Sequence, residues 1–133
     1  DMIKSAKDYA VALGLAFQIK DDILDYAGTD AVGKPLGADI LEQKITMPLL
    51  GAFANAGSQK EVHVRTLVAD IVSHPENRDE IVAFVKENGG LEYAVSRLNS
   101  YVEAAVKALE MFPESEAKDS LIELAHFTAD RIM

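Results

Sequence analysis

The chain has 133 residues, of which 49% are hydrophobic, and a formal net charge of -9. This length suits one packed domain, and we expect residues 1–133 to form a single unit. The acidic excess argues against nucleic acid or an anionic membrane surface as a partner. There are no cysteines, which excludes disulfides and thiolate metal sites. No apolar run approaches the roughly 18 residues of a transmembrane helix, and no signal peptide is evident, so we expect a cytoplasmic protein.

The first predicted element is a long helix over residues 3–26. Apolar residues are dense around most of its circumference, which is typical of a helix that is buried on most sides. One polar stripe interrupts this pattern, because Gln18, Asp21, Asp22 and Asp25 are spaced i, i+3, i+4 and i+7 and therefore share a face. The sequence thus predicts a line of carboxylates along a largely buried helix.

A loop and a short helix follow. Residues 27–39 are too rich in glycine and polar side chains for a regular element. Thr46 is a candidate N-cap and Pro48 fits a first helical turn, where a missing N–H is tolerated. We expect this helix to end at Gly57.

The remainder of the chain reads as further helices with recognisable boundaries. Two capping boxes predict helix starts, one pairing Ser58 with Glu61 and the other pairing Asn77 with Glu80. The first of these helices should end near Pro75 and the second at Gly89. Another helix is predicted over residues 91–112, and Ser115 can cap the last one. Nothing alternates like a β-strand, so the predicted class is all-α, a helical bundle.

Two interpretations of the three aspartates compete. They can form a solvated acidic face, which is common on helices. However, no Lys or Arg lies three or four residues from any of them, and the helix is too apolar to lie freely in water. The second interpretation is a divalent metal site, because carboxylates one turn apart can share Mg²⁺, which also binds water and phosphate oxygens. Lys34 and Lys44 are point charges suited to phosphate, so together these residues indicate a metal-bridged diphosphate.

The segment from Gly14 to Pro48, GLAFQIKDDILDYAGTDAVGKPLGADILEQKITMP, resembles the second aspartate-rich region of the trans-isoprenyl diphosphate synthases, the polyprenyl synthetases. The family pattern is G-x-x-FQ-x-x-DD-x-x-D, a Gly-Lys loop, G-x-D, and a Lys before T-x-P. A weaker likeness extends over the whole chain. It implies an isoprenoid-synthase-type α fold, of which this chain is the C-terminal part. The first aspartate-rich motif and the N-terminal helices of such a synthase are absent from this sequence.

The resemblance also implies roles for individual residues. Asp21, Asp22 and Asp25 would hold Mg²⁺ on the diphosphate of an allylic substrate, and Lys34 and Lys44 would contact that diphosphate directly. These five residues are the expected catalytic set.

Three further positions match the family pattern. Phe17 and Gln18 would lie beside the prenyl cavity and bind substrate. Asp39 would support the water shell of the metal.

The implied reaction is the condensation of an allylic prenyl diphosphate with isopentenyl diphosphate by the full-length enzyme, which we expect to be a homodimer. We expect the 133-residue chain alone to be inactive and to self-associate through its N-terminal helix. Two alternatives stay open, a fragment of a class I terpene cyclase and a non-catalytic helical subunit. The first is disfavoured by the motif, because the second metal motif of the cyclases is normally of the N-S-E kind.

Overall fold

A computed structural model of the chain describes residues 1–27 and 38–130. These residues form helices and contain no β-strand, which confirms the predicted all-α class. In chain order the helices are α1 (Met2–Ala27), α2 (Ala38–Leu41), α3 (Met47–Ala56), α4 (Ser58–Ala69), α5 (Asn77–Glu87), α6 (Gly90–Ala108) and α7 (Glu116–Asp130). No helix within the described ranges is both long and apolar enough to cross a lipid bilayer.

Helix α1 confirms the helix that was predicted over residues 3–26. One of its faces is buried, with side chains spaced three or four residues apart: Tyr9, Ala12, Ala16, Ile19, Ile23 and Tyr26. This spacing is that of a single helical stripe. Other faces of α1 carry exposed apolar side chains, among them Val11, Leu15 and Phe17. The chain as described therefore buries only part of the apolar surface of this helix.

The boundaries of α3 follow from its proline and glycine. Thr46 is the N-cap residue and Pro48 lies in the first turn, as predicted. At the other end Gly57 adopts a φ of 91°, a conformation that glycine reaches at little cost. The Thr46 hydroxyl makes no capping hydrogen bond, however. Its Oγ1 atom is buried and has no hydrogen-bond partner among the described residues.

Both predicted capping boxes are wrong, because each helix is capped by the residue before the predicted one. Gly57 is the N-cap of α4 and Glu76 is the N-cap of α5, and neither makes a side-chain capping bond. Ser58 is therefore already inside its helix. The Asn77 amide is used elsewhere, since its Nδ2 donates to the Leu67 carbonyl oxygen at 3.2 Å.

The last two helices agree with the sequence except at one boundary. Helix α6 ends at Ala108 instead of continuing to residue 112, because the chain there tightens into turns. The N–H groups of Leu109 and Phe112 donate to carbonyls three residues earlier. Ser115 caps α7 as predicted, since its Oγ accepts a hydrogen bond from the Lys118 N–H at 3.1 Å.

The described residues group into two compact units. One contains Asp1–Lys20 and the described residues from Ser96 onward, and the other contains the described residues within Asp21–Val95. In the second unit α3, α4 and α5 pack against one another. Their core includes the ring pair Phe53 and Phe84, whose centroids are 5.8 Å apart. In the first unit, the Tyr9 hydroxyl of α1 donates to the Leu121 carbonyl of α7 at 2.8 Å.

Candidate functional site

The three aspartates of α1 lie in different environments. Asp21 is exposed, whereas Asp22 is 7% exposed and Asp25 only 1% exposed. This difference follows from helix geometry, because Ile23 and Tyr26, which flank Asp22 and Asp25, point into the core. The predicted acidic stripe thus begins at the surface and ends inside the protein. Within the described ranges no three Asp, Glu or His side chains converge in a way that could hold a metal ion.

Asp22 lies beside the N-terminus of α3. The backbone N–H of Met47 points at Asp22 Oδ2 with an N–O distance of 3.5 Å, a long and weak hydrogen bond. The N-terminal end of a helix carries partial positive charge and unpaired N–H groups, so it is a favourable place for a buried carboxylate. The contact brings the acidic end of α1 next to the segment that leads into α3, and that segment contains Lys44.

Lys44 is an exposed cation three residues before α3. Its Nζ lies 2.9 Å from Glu42 Oε2, and its side chain is 58% exposed. Exposed ion pairs of this kind contribute about 0–1 kcal/mol. The ion pair with Glu42 therefore contributes little to holding the Lys44 side chain in place.

The other predicted site residues are placed only in part. Phe17 is 45% exposed and Gln18 is also exposed, and both precede Asp21 on α1. Lys34 lies outside the described residues, and so does the side chain of Asp39.

One residue of this region was not anticipated from the sequence. Gln43, between Glu42 and Lys44, has a φ of 63°, and its side-chain Nε2 donates to the Ala69 carbonyl oxygen at 2.8 Å. No sequence signal identifies it, because glutamine has no preference for left-handed backbone. The conformation belongs to the turn between α2 and α3, in which the Gln43 N–H donates to the Ile40 carbonyl oxygen.

The fold and this site define an all-α protein in which an aspartate-rich helix meets a lysine-bearing turn. The sequence matches the model of the polyprenyl synthetase family over residues 1–87. The chain therefore belongs to the polyprenyl synthetase family.

Individual relatives agree with this assignment. The chain is 41% identical over 129 residues to the octaprenyl diphosphate synthase of Haemophilus influenzae, covering 96% of this chain and 39% of the relative. Among solved structures it is similar to a polyprenyl synthase from Caulobacter crescentus in complex with calcium and isoprenyl diphosphate, with a TM-score of 0.85, 32% identity, and coverage of 98% of this chain and 40% of that one.

A third relative is the geranylgeranyl pyrophosphate synthase from Corynebacterium glutamicum in complex with isoprenyl diphosphate and magnesium. The TM-score is 0.80 at 28% identity, covering 97% of this chain and 37% of that one. The chain thus spans about two fifths of the length of these relatives. The relatives are prenyl diphosphate synthases, so they do not favour the terpene cyclase alternative.

Proposed function

We propose that the complete protein condenses an allylic prenyl diphosphate with isopentenyl diphosphate, and that this chain forms the C-terminal part of that synthase. Family membership supports the reaction class. The observation that carries the proposal is the contact between Asp22 Oδ2 and the Met47 N–H. It brings the carboxylates of α1 close to the segment that bears Lys44, as the recognition of a metal-bound diphosphate requires.

The donor atoms fit magnesium. Mg²⁺ is a hard cation that is usually held by one or two carboxylates, with water and substrate phosphates completing its shell. A cluster of three protein carboxylates is therefore not needed. We propose that Asp21, Asp22 and Asp25 form the acidic face toward the metal, where one or two of these carboxylates bind Mg²⁺ directly, with Asp39 behind its water shell. When bound there, Mg²⁺ supplies positive charge to the leaving diphosphate.

The lysines act on the same leaving group. In the proposed reaction the C–O bond of the allylic diphosphate breaks and both electrons leave with the diphosphate. The double bond of isopentenyl diphosphate then attacks the allylic cation, and a proton is lost. Lys44, which is exposed on the segment that leads into α3, and Lys34 bind the departing diphosphate and stabilise its developing charge. Phe17 and Gln18 border the prenyl chain.

The experiment is a prenyl-transfer assay with labelled isopentenyl diphosphate and an allylic diphosphate, run on the complete gene product and on the 133-residue chain. We expect product from the complete protein, loss of product with EDTA and recovery with added Mg²⁺. We expect none from the short chain, which spans only part of its relatives. Product from the short chain, or none from the complete protein, would contradict the proposal. Homodimerisation and a cytoplasmic location stay predictions.

A further inference from the structure

Gln43 has an unusual backbone conformation for its residue type. Among the described residues it is the non-glycine residue with positive φ, at 63°. Its N–H donates to the Ile40 carbonyl at 2.9 Å, so Gln43 closes the turn that ends α2. Residues with a Cβ atom disfavour this left-handed region. Something in the structure must therefore hold Gln43 there.

The side chain of Gln43 provides that restraint. Its Nε2 donates to the carbonyl oxygen of Ala69 at 2.8 Å, and Ala69 is the last residue of α4. The final carbonyls of a helix lack partners within the helix and carry partial negative charge, so an amide N–H is a suitable donor. The hydrogen bond anchors the turn after α2 to a helix of the same compact unit.

We propose that Gln43 is a positioning residue for the diphosphate site. Its left-handed backbone, held by the hydrogen bond to Ala69, sets the direction in which Lys44 leaves the turn. This inference rests on the proposed function, since it gives Lys44 its ligand. Gln43 itself contacts neither metal nor substrate; it acts through the backbone of the next residue.

The connection from Gln43 to Met47 is short, so the backbone conformation of Gln43 affects where Lys44 lies. Only three residues separate Gln43 from Met47, whose N–H points at Asp22. The last of them, Thr46, is extended, with φ of −109° and ψ of 178°. With so short a connection, a rotation at Gln43 changes the direction in which Lys44 leaves the turn. It moves Lys44 relative to the carboxylates of α1, and a misplacement of about 1 Å can cost about 100-fold in catalysis.

Three variants of the complete protein test the proposal. Gln43→Val removes the anchor and introduces a β-branched side chain that resists positive φ. Gln43→Gly also removes the anchor but adopts positive φ freely, so it should fold well. Asn55→Ala is the matched control, because Asn55 Nδ2 donates to the Asn88 carbonyl at 2.8 Å in a position that is also exposed. Asn55 lies near the C-terminal end of α3, away from Lys44.

The readouts are the affinity for inorganic diphosphate in Mg²⁺ buffer, and KM and kcat for the allylic diphosphate. We expect Gln43→Val to weaken diphosphate binding and raise KM by about tenfold, less than the 100-fold limit because the lysine is retained. Gln43→Gly should stay within about twofold of the unmodified protein, since glycine keeps the conformation that the site needs. Asn55→Ala should lower stability but leave KM and diphosphate affinity unchanged.

Unchanged binding in Gln43→Val would overturn the inference, and so would an equal loss in Asn55→Ala. If Gln43→Gly weakened diphosphate binding as much as Gln43→Val, the hydrogen bond to Ala69 and not the left-handed backbone would position Lys44. That result would also overturn the inference. Inactivity of the unmodified protein would instead defeat the proposed function. In that case, hydrogen exchange at the Lys44 and Ile45 amides still tests whether Gln43 holds the turn. Faster exchange in Gln43→Val than in the unmodified protein supports this role, and unchanged exchange excludes it.

Discussion

Asp21 and Asp25 lie one helical turn apart on α1, but only Asp21 is exposed, whereas Asp25 is 1% exposed. A buried carboxylate must be compensated by hydrogen bonds or opposite charge, or the fold is destabilised. An exposed one loses little hydration on folding. Replacement of Asp21 should therefore change catalytic activity without changing the free energy of unfolding. Replacement of Asp25 should change both.

We predict that Asp21→Asn in the complete protein lowers kcat by about 100- to 1000-fold, the usual effect of removing one preorganised contact to developing charge. The free energy of unfolding should change by less than about 0.5 kcal/mol, as for other surface substitutions. Steady-state kinetics at saturating Mg²⁺ and urea unfolding measure the two quantities. Asp79→Asn, at a position 87% exposed on α5, should alter neither. A near-normal kcat in Asp21→Asn would refute the metal assignment.

Lys44→Gln should weaken binding of a prenyl diphosphate by about 10- to 100-fold, because a hydrogen bond to a charged group contributes about 1.5–3 kcal/mol. Binding of the corresponding uncharged alcohol should not change, since the alcohol lacks the charge that Lys44 recognises. Isothermal titration with both ligands makes the comparison, and Lys60→Gln on α4 is the control. The same outcome is expected for Lys34→Gln. Equal losses for the two ligands would indicate damage to packing instead.

The residue types at this site are predictable from the sequence, but their environments are not. The spacing of Asp21, Asp22 and Asp25 shows that they share a helix face. It does not show that the stripe crosses from solvent into the core, because that depends on what packs against α1. The positive φ of Gln43 could not be predicted either, because it belongs to the turn between α2 and α3 and glutamine has no preference for it.

At the scale of the elements, proline and glycine located both ends of α3, whereas Pro75 did not locate the end of α4, which lies at Ala69. Pro48 and Gly57 mark the ends of α3 because they restrict or permit backbone angles wherever they stand. A serine or asparagine marks a helix start only if its side chain turns back to the helix, and Asn77 instead bonds Leu67. A competing tertiary partner thus accounts for the failure of the capping box at Asn77.

Gly90 holds the start of α6 close to the start of α3. A Cβ atom on Gly90 would collide with the Pro48 carbonyl oxygen, and it would also lie 2.9 Å from Val85 Cγ1 and 3.1 Å from the Pro48 carbonyl carbon. The colliding backbone cannot move without shifting the first turn of α3. That turn includes the Met47 N–H, which faces Asp22. The glycine thus links the packing of α6 to the geometry of the site.

Gly90→Ala should therefore lower the free energy of unfolding by about 1–3 kcal/mol, the usual cost of overpacking. The displaced turn should also raise KM for the allylic diphosphate. Urea unfolding and steady-state kinetics of the complete protein measure both effects. Ser100→Ala, at an exposed position of the same helix, should stay within about 0.5 kcal/mol of the unmodified protein. If Gly90→Ala were as stable as that control, α6 would approach α3 less closely than described.

At the scale of the whole molecule, α1 carries several large apolar side chains that are exposed. Val11 is 63% exposed, Leu15 42% and Phe17 45%. The sequence predicted a helix surrounded on nearly all sides, because its apolar residues cover most of the circumference. The described chain buries one stripe of it. Large contiguous apolar patches are rare on monomers and usually mark an interaction site.

We predict that the isolated 133-residue chain self-associates through α1. Val11 and Leu15 are one turn apart and share a face, so Val11→Lys with Leu15→Lys should disrupt that surface and lower the apparent mass. Val72→Lys is the control, because Val72 is 72% exposed but lies outside α1. Size exclusion with light scattering measures the mass, and hydrogen exchange over residues 3–26 locates the interface. A strictly monomeric chain with a well-protected α1 would show that its apolar faces are covered within one copy.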